Sequence, residues 1–166
     1  MKEFLEGRRF GFALRPQLGH ITLGLALAVT LLDLMAWFGW GARDTNGFVI
    51  ADAWLAGATV VVAALAAITA VVESTDAAGE DRALARLDVV AAVVVLLLYA
   101  ASAALRSTDL AAAGASPGAV VAAFAGLVVL LVDGVIASTL YSSREWAILD
   151  EEDYEPRRHQ KRRRAS

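Results

Sequence analysis

The 166-residue sequence contains no cysteine and only two histidines, His20 and His159. The first absence excludes disulfides, thiol chemistry and iron–sulfur ligation, and the second narrows the room for metal and haem chemistry. Proline occurs three times and methionine twice. The strict alternation of period two that a transmembrane barrel requires is missing. So are the glycine-rich phosphate loop, the Gly-x-Ser-x-Gly elbow, the His-Glu-x-x-His zinc motif and the dinucleotide fingerprint. Hydrophobic residues make up 58% of the chain, and the mean hydropathy is +0.56, above an ordinary soluble domain. These residues are gathered into four long blocks.

A bilayer core about 30 Å thick needs roughly 20 apolar residues of helix to cross it. Four segments meet that length: about 18–40, 48–72, 87–105 and 118–141. A soluble helical bundle would carry a charged face at helical spacing, whereas Val89–Leu105 has no ionisable group except the Tyr99 phenol. The fold class expected is therefore all-α, an integral membrane four-helix bundle. A basic arm occupies residues 1–17, with its aromatic and basic residues interleaved as at a membrane surface. A charged tail follows at 142–166. The first block is longer than a signal-peptide core and is expected to remain as an anchor.

Lysine and arginine counts give the direction. Thirteen fall in the N-terminal arm, the middle loop and the tail, and two, Arg43 and Arg106, in the other loops. The expectation is both termini in the cytoplasm (N-in/C-in) and a multi-pass protein of a bacterial inner membrane. Trp37, Phe38, Trp40, Phe48 and Trp54 form an aromatic belt around the first hairpin. In the tail, Asp150–Glu155 is acidic and Arg157, Arg158, Lys161, Arg162, Arg163 and Arg164 are basic. That basic cluster suits anionic lipid or an acidic partner subunit. It is short and terminal and lacks aromatic interleaving, which argues against nucleic acid.

Acids inside a span are costly and should face protein or water. Asp33 and Asp133 are the clear cases. Helical spacing groups Thr22, Ala26 and Asp33 on the first helix, and Asp52, Thr59, Ala63 and Ala70 on the second. It groups Asp88, Ala92, Tyr99 and Ser102 on the third, and Ala122, Gly126, Asp133 and Ala137 on the fourth. Gly118, Ala122 and Gly126 form two small-xxx-small steps suited to close packing. Antiparallel threading puts Asp33 and Asp52 in one half of the membrane and His20, Asp88 and Asp133 in the other, against a continuous proton wire. His20 is expected near Asp88 or Asp133, and Asp88 either solvated at the end of its span or paired with Arg86 or His20. As the one histidine within a span, His20 cannot complete bis-histidine haem ligation in a single chain. A haem shared across an oligomer would use it twice. No cofactor and no metal site is expected from the residues.

Several short motifs resemble those of a bacterial membrane family, the domain-of-unknown-function 2231 family. Its members open with a His-Pro pair and a second histidine before the first span, and carry an Asp late in that span. Arg15-Pro16 stands at the pair, His20 matches the second histidine and Asp33 the Asp. Glu73–Asp76 occupies the turn after the second span, Arg106 matches the Arg that closes the third, and Gly134 with Leu140-Tyr141 resembles the close of the fourth. Asp88 replaces a family histidine, so two of three expected histidines are absent. The resemblance covers about 15–148. Some members are joined to Rieske-type domains, which implies a link with membrane electron transport. The reading favoured is a non-enzymatic accessory or scaffold subunit that meets other membrane subunits. The alternatives are a redox protein using His20 across an oligomer, and a small transporter or proton pathway using Asp33 and Asp133.

Overall fold

The computed structural model describes residues 14–41, 46–75, 77, 79, 81–108, 110, 114 and 116–139. Four helices account for almost all of them: α1 Leu14–Trp37, α2 Gly47–Ser74, α3 Asp81–Ser107 and α4 Pro117–Thr139. There is no strand among the described residues. Each helix is long and apolar enough to cross a membrane, so the chain is a multi-pass membrane protein by length and composition. The basic arm up to residue 13 and the tail from residue 140, including the cluster Arg157–Arg164, lie outside the described residues.

The helix ends follow from local chemistry. Asn46 caps α2, its side chain accepting from the Phe48 N–H and donating to the Trp40 carbonyl. That packing requires Gly41, whose φ is +105° and whose added Cβ would lie 2.4 Å from Asn46 Oδ1. Ser116 precedes Pro117 and accepts from the Ala119 N–H at 3.3 Å, an N-cap followed by proline in the first turn, where no N–H is needed. The third helix is longer than its span: it starts at Asp81, and the polar stretch before Leu87 belongs to it.

One spacing rule organises the interior. The buried residues of α3 are Ala85, Asp88, Ala92, Val95, Tyr99, Ser102 and Arg106, alternating steps of three and four. α2 repeats this in Val49, Asp52, Ala56, Thr59, Ala63, Ala66 and Ala70. α1 contributes Arg15, Thr22, Ala26, Val29 and Asp33, and α4 contributes Ala119, Ala123, Gly126, Leu130 and Asp133. Such a 3.5-residue repeat keeps a seam on the bundle axis and gives the packing of left-handed bundles. At mid-height the seam is apolar and small: Ala26, Val29, Ala56, Ala63, Val95, Tyr99, Ala123, Leu127 and Leu130. The opposite faces expose Leu31, Val61, Leu97, Val121 and Val135, the surface a bilayer would cover. Trp37 and Trp54 are 78% and 75% exposed at the α1–α2 hairpin, where the aromatic belt was expected.

The small-residue stripe of α4 is a correction. Gly118 is exposed and Ala122 only half-buried; Ala119 and Ala123 take the interior positions. Steps of four advance 400°, so a stripe extrapolated from Gly126 drifts 40° per step, and Gly118 ends about 80° off the seam. Gly126 itself is in the right place. An added Cβ there would lie 2.7 Å from Tyr99 Cε2 and 3.0 Å from Cδ2. Gly126→Leu is therefore expected to cost about 1–3 kcal/mol or more through overpacking against a fully buried ring. Val128→Leu, on a side chain 46% exposed, should be nearly neutral. The fraction of monodisperse protein surviving heating in detergent checks this, and equal survival of the two variants would contradict the packing.

Candidate functional site

All six charged side chains buried among the described residues fall into two clusters, each with one arginine and two aspartates. At one end, Arg15 of α1 reaches Asp88 of α3 through two bonds, Nη2 to Oδ1 at 2.7 Å and Nε to Oδ2 at 3.3 Å. The same Nη2 donates to Asp133 Oδ2 of α4 at 2.7 Å. At the other end, Arg106 of α3 clamps Asp33 of α1, Nη1 to Oδ1 at 2.8 Å and Nη2 to Oδ2 at 2.7 Å. Its Nη1 also pairs with Asp52 Oδ2 of α2, and its Nε donates to Ser102 Oγ at 3.1 Å. Ser102 Oγ donates in turn to the Ala119 carbonyl of α4 at 2.9 Å. The Arg106 cluster thereby joins all four helices, and the Arg15 cluster joins three.

The fork shape of the guanidinium explains the choice of residue. It binds one carboxylate through two parallel bonds and still has a donor for another. On α1 the order is Arg15 then Asp33; on α3 it is Asp88 then Arg106. Both intervals are eighteen residues, about 27 Å of helix. The two helices thus present opposite charges to each other at both ends, a registry device that fixes their relative height and rotation. A buried pair is weak support for stability in itself, because desolvation offsets attraction. It is strong support for a unique arrangement, since any other leaves a charge in hydrocarbon.

The structure brings together Asp33 with Asp52, and Asp88 with Asp133, as the depth argument expected. It corrects the partners. Asp88 pairs with Arg15, whereas Arg86 and His20 are exposed. Two residues of helix turn a side chain by 200°, which puts Arg86 on the far side from Asp88. Five residues separate Arg15 from His20, a turn of 140° off the seam. Arg15 and Arg106, which sequence reasoning assigned to the arm and a loop, are 3% exposed each. Tyr99 is fully buried, and its hydroxyl has no hydrogen-bond partner among the described residues; Asp52 Oδ1 and Asp133 Oδ1 share that condition. Thr22 and Thr59, also on the seam, donate to the carbonyls of Leu18 and Leu55, four residues back in their own helices.

The described residues contain no group of three or more His, Asp or Glu placed to hold a metal ion. Each cluster carries a formal charge of −1 when both carboxyls are ionised. The apolar seam of Ala26, Val29, Val95 and their neighbours separates the two clusters. Comparison of the chain with protein-family models, with curated proteins and with solved structures finds no match in any of the three.

Proposed function

We propose that this protein is a non-enzymatic accessory or scaffold subunit of a bacterial membrane complex. The observation that carries this reading is that every described buried charge is bound to another charge of the same bundle. Charges used in this way set helix registry and leave the outward faces to meet lipid and neighbouring subunits. The resemblance to the domain-of-unknown-function 2231 family supports a place beside membrane electron transport. The basic tail, Arg157–Arg164, supplies a contact for anionic lipid or an acidic subunit.

Purification of the full chain in mild detergent tests the reading. Stoichiometric co-purifying membrane subunits support it. A stoichiometric haem lost on His20→Ala would replace it with the redox alternative, which the exposed position of His20 makes open to a second chain. Proton flux in vesicles abolished by Asp33→Asn or Asp133→Asn would replace it with the transport alternative.

The orientation proposed has both termini in the cytoplasm. Setting aside the two buried arginines leaves twelve lysines and arginines on one side and one on the other, so the bias survives the correction. The chain has no cysteine of its own. Cysteines introduced at Thr45 and Ser166 should label from opposite sides of the membrane, Thr45 from the periplasm. Labelling of both by an impermeant reagent from the periplasm would contradict the orientation.

A further inference from the structure

The Arg15 cluster has a feature that registry does not require. Beside it lies a small internal gap lined by Arg15, Thr22, Ala63, Ala92, Val95 and Asp133, with about 10 Å³ of room for the centre of a water molecule. That is about the space one water needs. Asp133 is 3% exposed, and its Oδ1 has no hydrogen-bond partner among the described residues. Asp88 uses both of its oxygens on Arg15, whereas Asp133 uses one. The unsatisfied oxygen of the cluster therefore belongs to a residue on the wall of this gap.

We propose that this gap is a binding site for one water molecule and one exchangeable proton, the proton held on the Asp133 carboxyl. The polar groups on its wall fit a water: the Asp133 carboxyl, the Arg15 guanidinium and the Thr22 hydroxyl offer acceptors and donors in the number a buried water uses. They do not fit a metal ion, because a guanidinium lines the gap and one free carboxyl oxygen falls short of a cation's oxygen shell.

Charge balance places the proton. Asp88 faces Asp133 from α3 and Arg15 faces it from α1, while α2 presents Ala63 and Ala66. One guanidinium offsets one carboxylate, and bidentate Asp88 is the one it holds. In the exchange step the gap water gives a proton to Asp133 Oδ1, an O–H bond forms there, and the water recovers its proton from solvent. The cluster passes from −1 to neutral. Arg15 lies in the first turn of α1, so the path to the membrane surface on that side is short. The Arg106 cluster, about 27 Å away by helix rise, lies beyond the apolar seam.

Infrared spectroscopy of the full chain in phosphatidylcholine vesicles, compared in H2O, D2O and H2(18)O, tests this. The native chain should show a protonated-carboxyl C=O band that shifts in D2O, and Asp133→Asn should remove one carboxyl's worth of it. Asp88→Asn should remove it equally, because Arg15 is then balanced by Asp133 alone; an acid that merely packs would not respond in this way. An O–H band sensitive to H2(18)O should disappear in Ala63→Val, which fills the gap without altering any charge. The same variant should move the C=O band, since the carboxyl loses its water partner. A carboxyl band of undiminished area in Asp133→Asn or Asp88→Asn overturns the proton assignment. Water and C=O bands unchanged in Ala63→Val overturn the site, and that variant decides the matter even where an aspartate variant fails to fold.

Discussion

Arg106→Met is expected to be the most damaging single substitution in the bundle. It leaves Asp33 and Asp52 buried together with no cation, and breaking a buried pair by removing one partner costs about 3–5 kcal/mol. The Ser102 hydroxyl loses the Nε donor as well. Unfolding in detergent or by steric trapping in bicelles should show a loss of that size. The informative comparison is the triple variant Arg106→Met, Asp33→Leu, Asp52→Leu. With no charge left to strand, most of the stability should return, because well-packed apolar replacements of a buried ionic cluster are often neutral or stabilising. A triple variant as unstable as the single one would mean that the cluster stabilises the bundle directly. The expected outcome is instead a bundle that is stable but less uniquely arranged, seen as broadened spectra or mixed oligomers.

Exchanging the charges of the other cluster should give an equally large effect of opposite design. Arg15→Asp puts three carboxyl groups together with Asp88 and Asp133. Asp88→Arg puts two guanidiniums against one carboxylate. Each single variant is expected to lose at least the about 3–5 kcal/mol of a broken buried pair. The double variant should recover more than half of the combined loss, because the α1–α3 bond is restored with its polarity reversed. The coupling energy from this cycle measures the pair itself. Recovery should be incomplete, since an arginine at position 88 approaches Asp133 from another helix. Simple addition of the two losses would show that Arg15 and Asp88 do not meet.

The four helices and most of their inward faces were legible in the sequence, because span length and helical spacing depend on composition alone. Asp33, Asp52, Asp88, Tyr99, Ser102 and Asp133 were all placed inward, and all are buried. The two arginines were not. A basic residue near a span end ordinarily snorkels to the surface, which counts Arg15 with the arm and Arg106 with a loop. The signal that would have found them is the seam register. Arg15 stands seven residues before Thr22 and Arg106 four after Ser102, each continuing the inward positions of its helix. The matched eighteen-residue intervals, with charge order reversed between α1 and α3, are a second signal. The small-residue stripe went astray for a related reason: a step of four throughout does not follow a 3.5-residue seam. The unsatisfied oxygen of Asp133 and the gap beside it depend on side-chain packing across helices, which no spacing rule reports.

The distribution of the two clusters along the chain also sets the order in which a nascent bundle can close. When α1 and α2 have entered the membrane, their hairpin holds Asp33 and Asp52 before Arg106 has been made. The arrival of α3 supplies Arg106 at one end and brings Asp88 to the waiting Arg15 at the other. Only α4, made last, adds Asp133 and the Ala119 carbonyl that receives Ser102. A chain halted after two helices therefore lacks the Arg106 partner of both acids. One halted after three has both buried guanidiniums engaged, Arg15 and Arg106, but lacks the wall that encloses the seam. A two-helix chain differs from the finished protein by charges left without their partner in hydrocarbon, each disfavoured by roughly 2.5–3.5 kcal/mol on insertion scales, a difference that membrane quality-control proteases can act on.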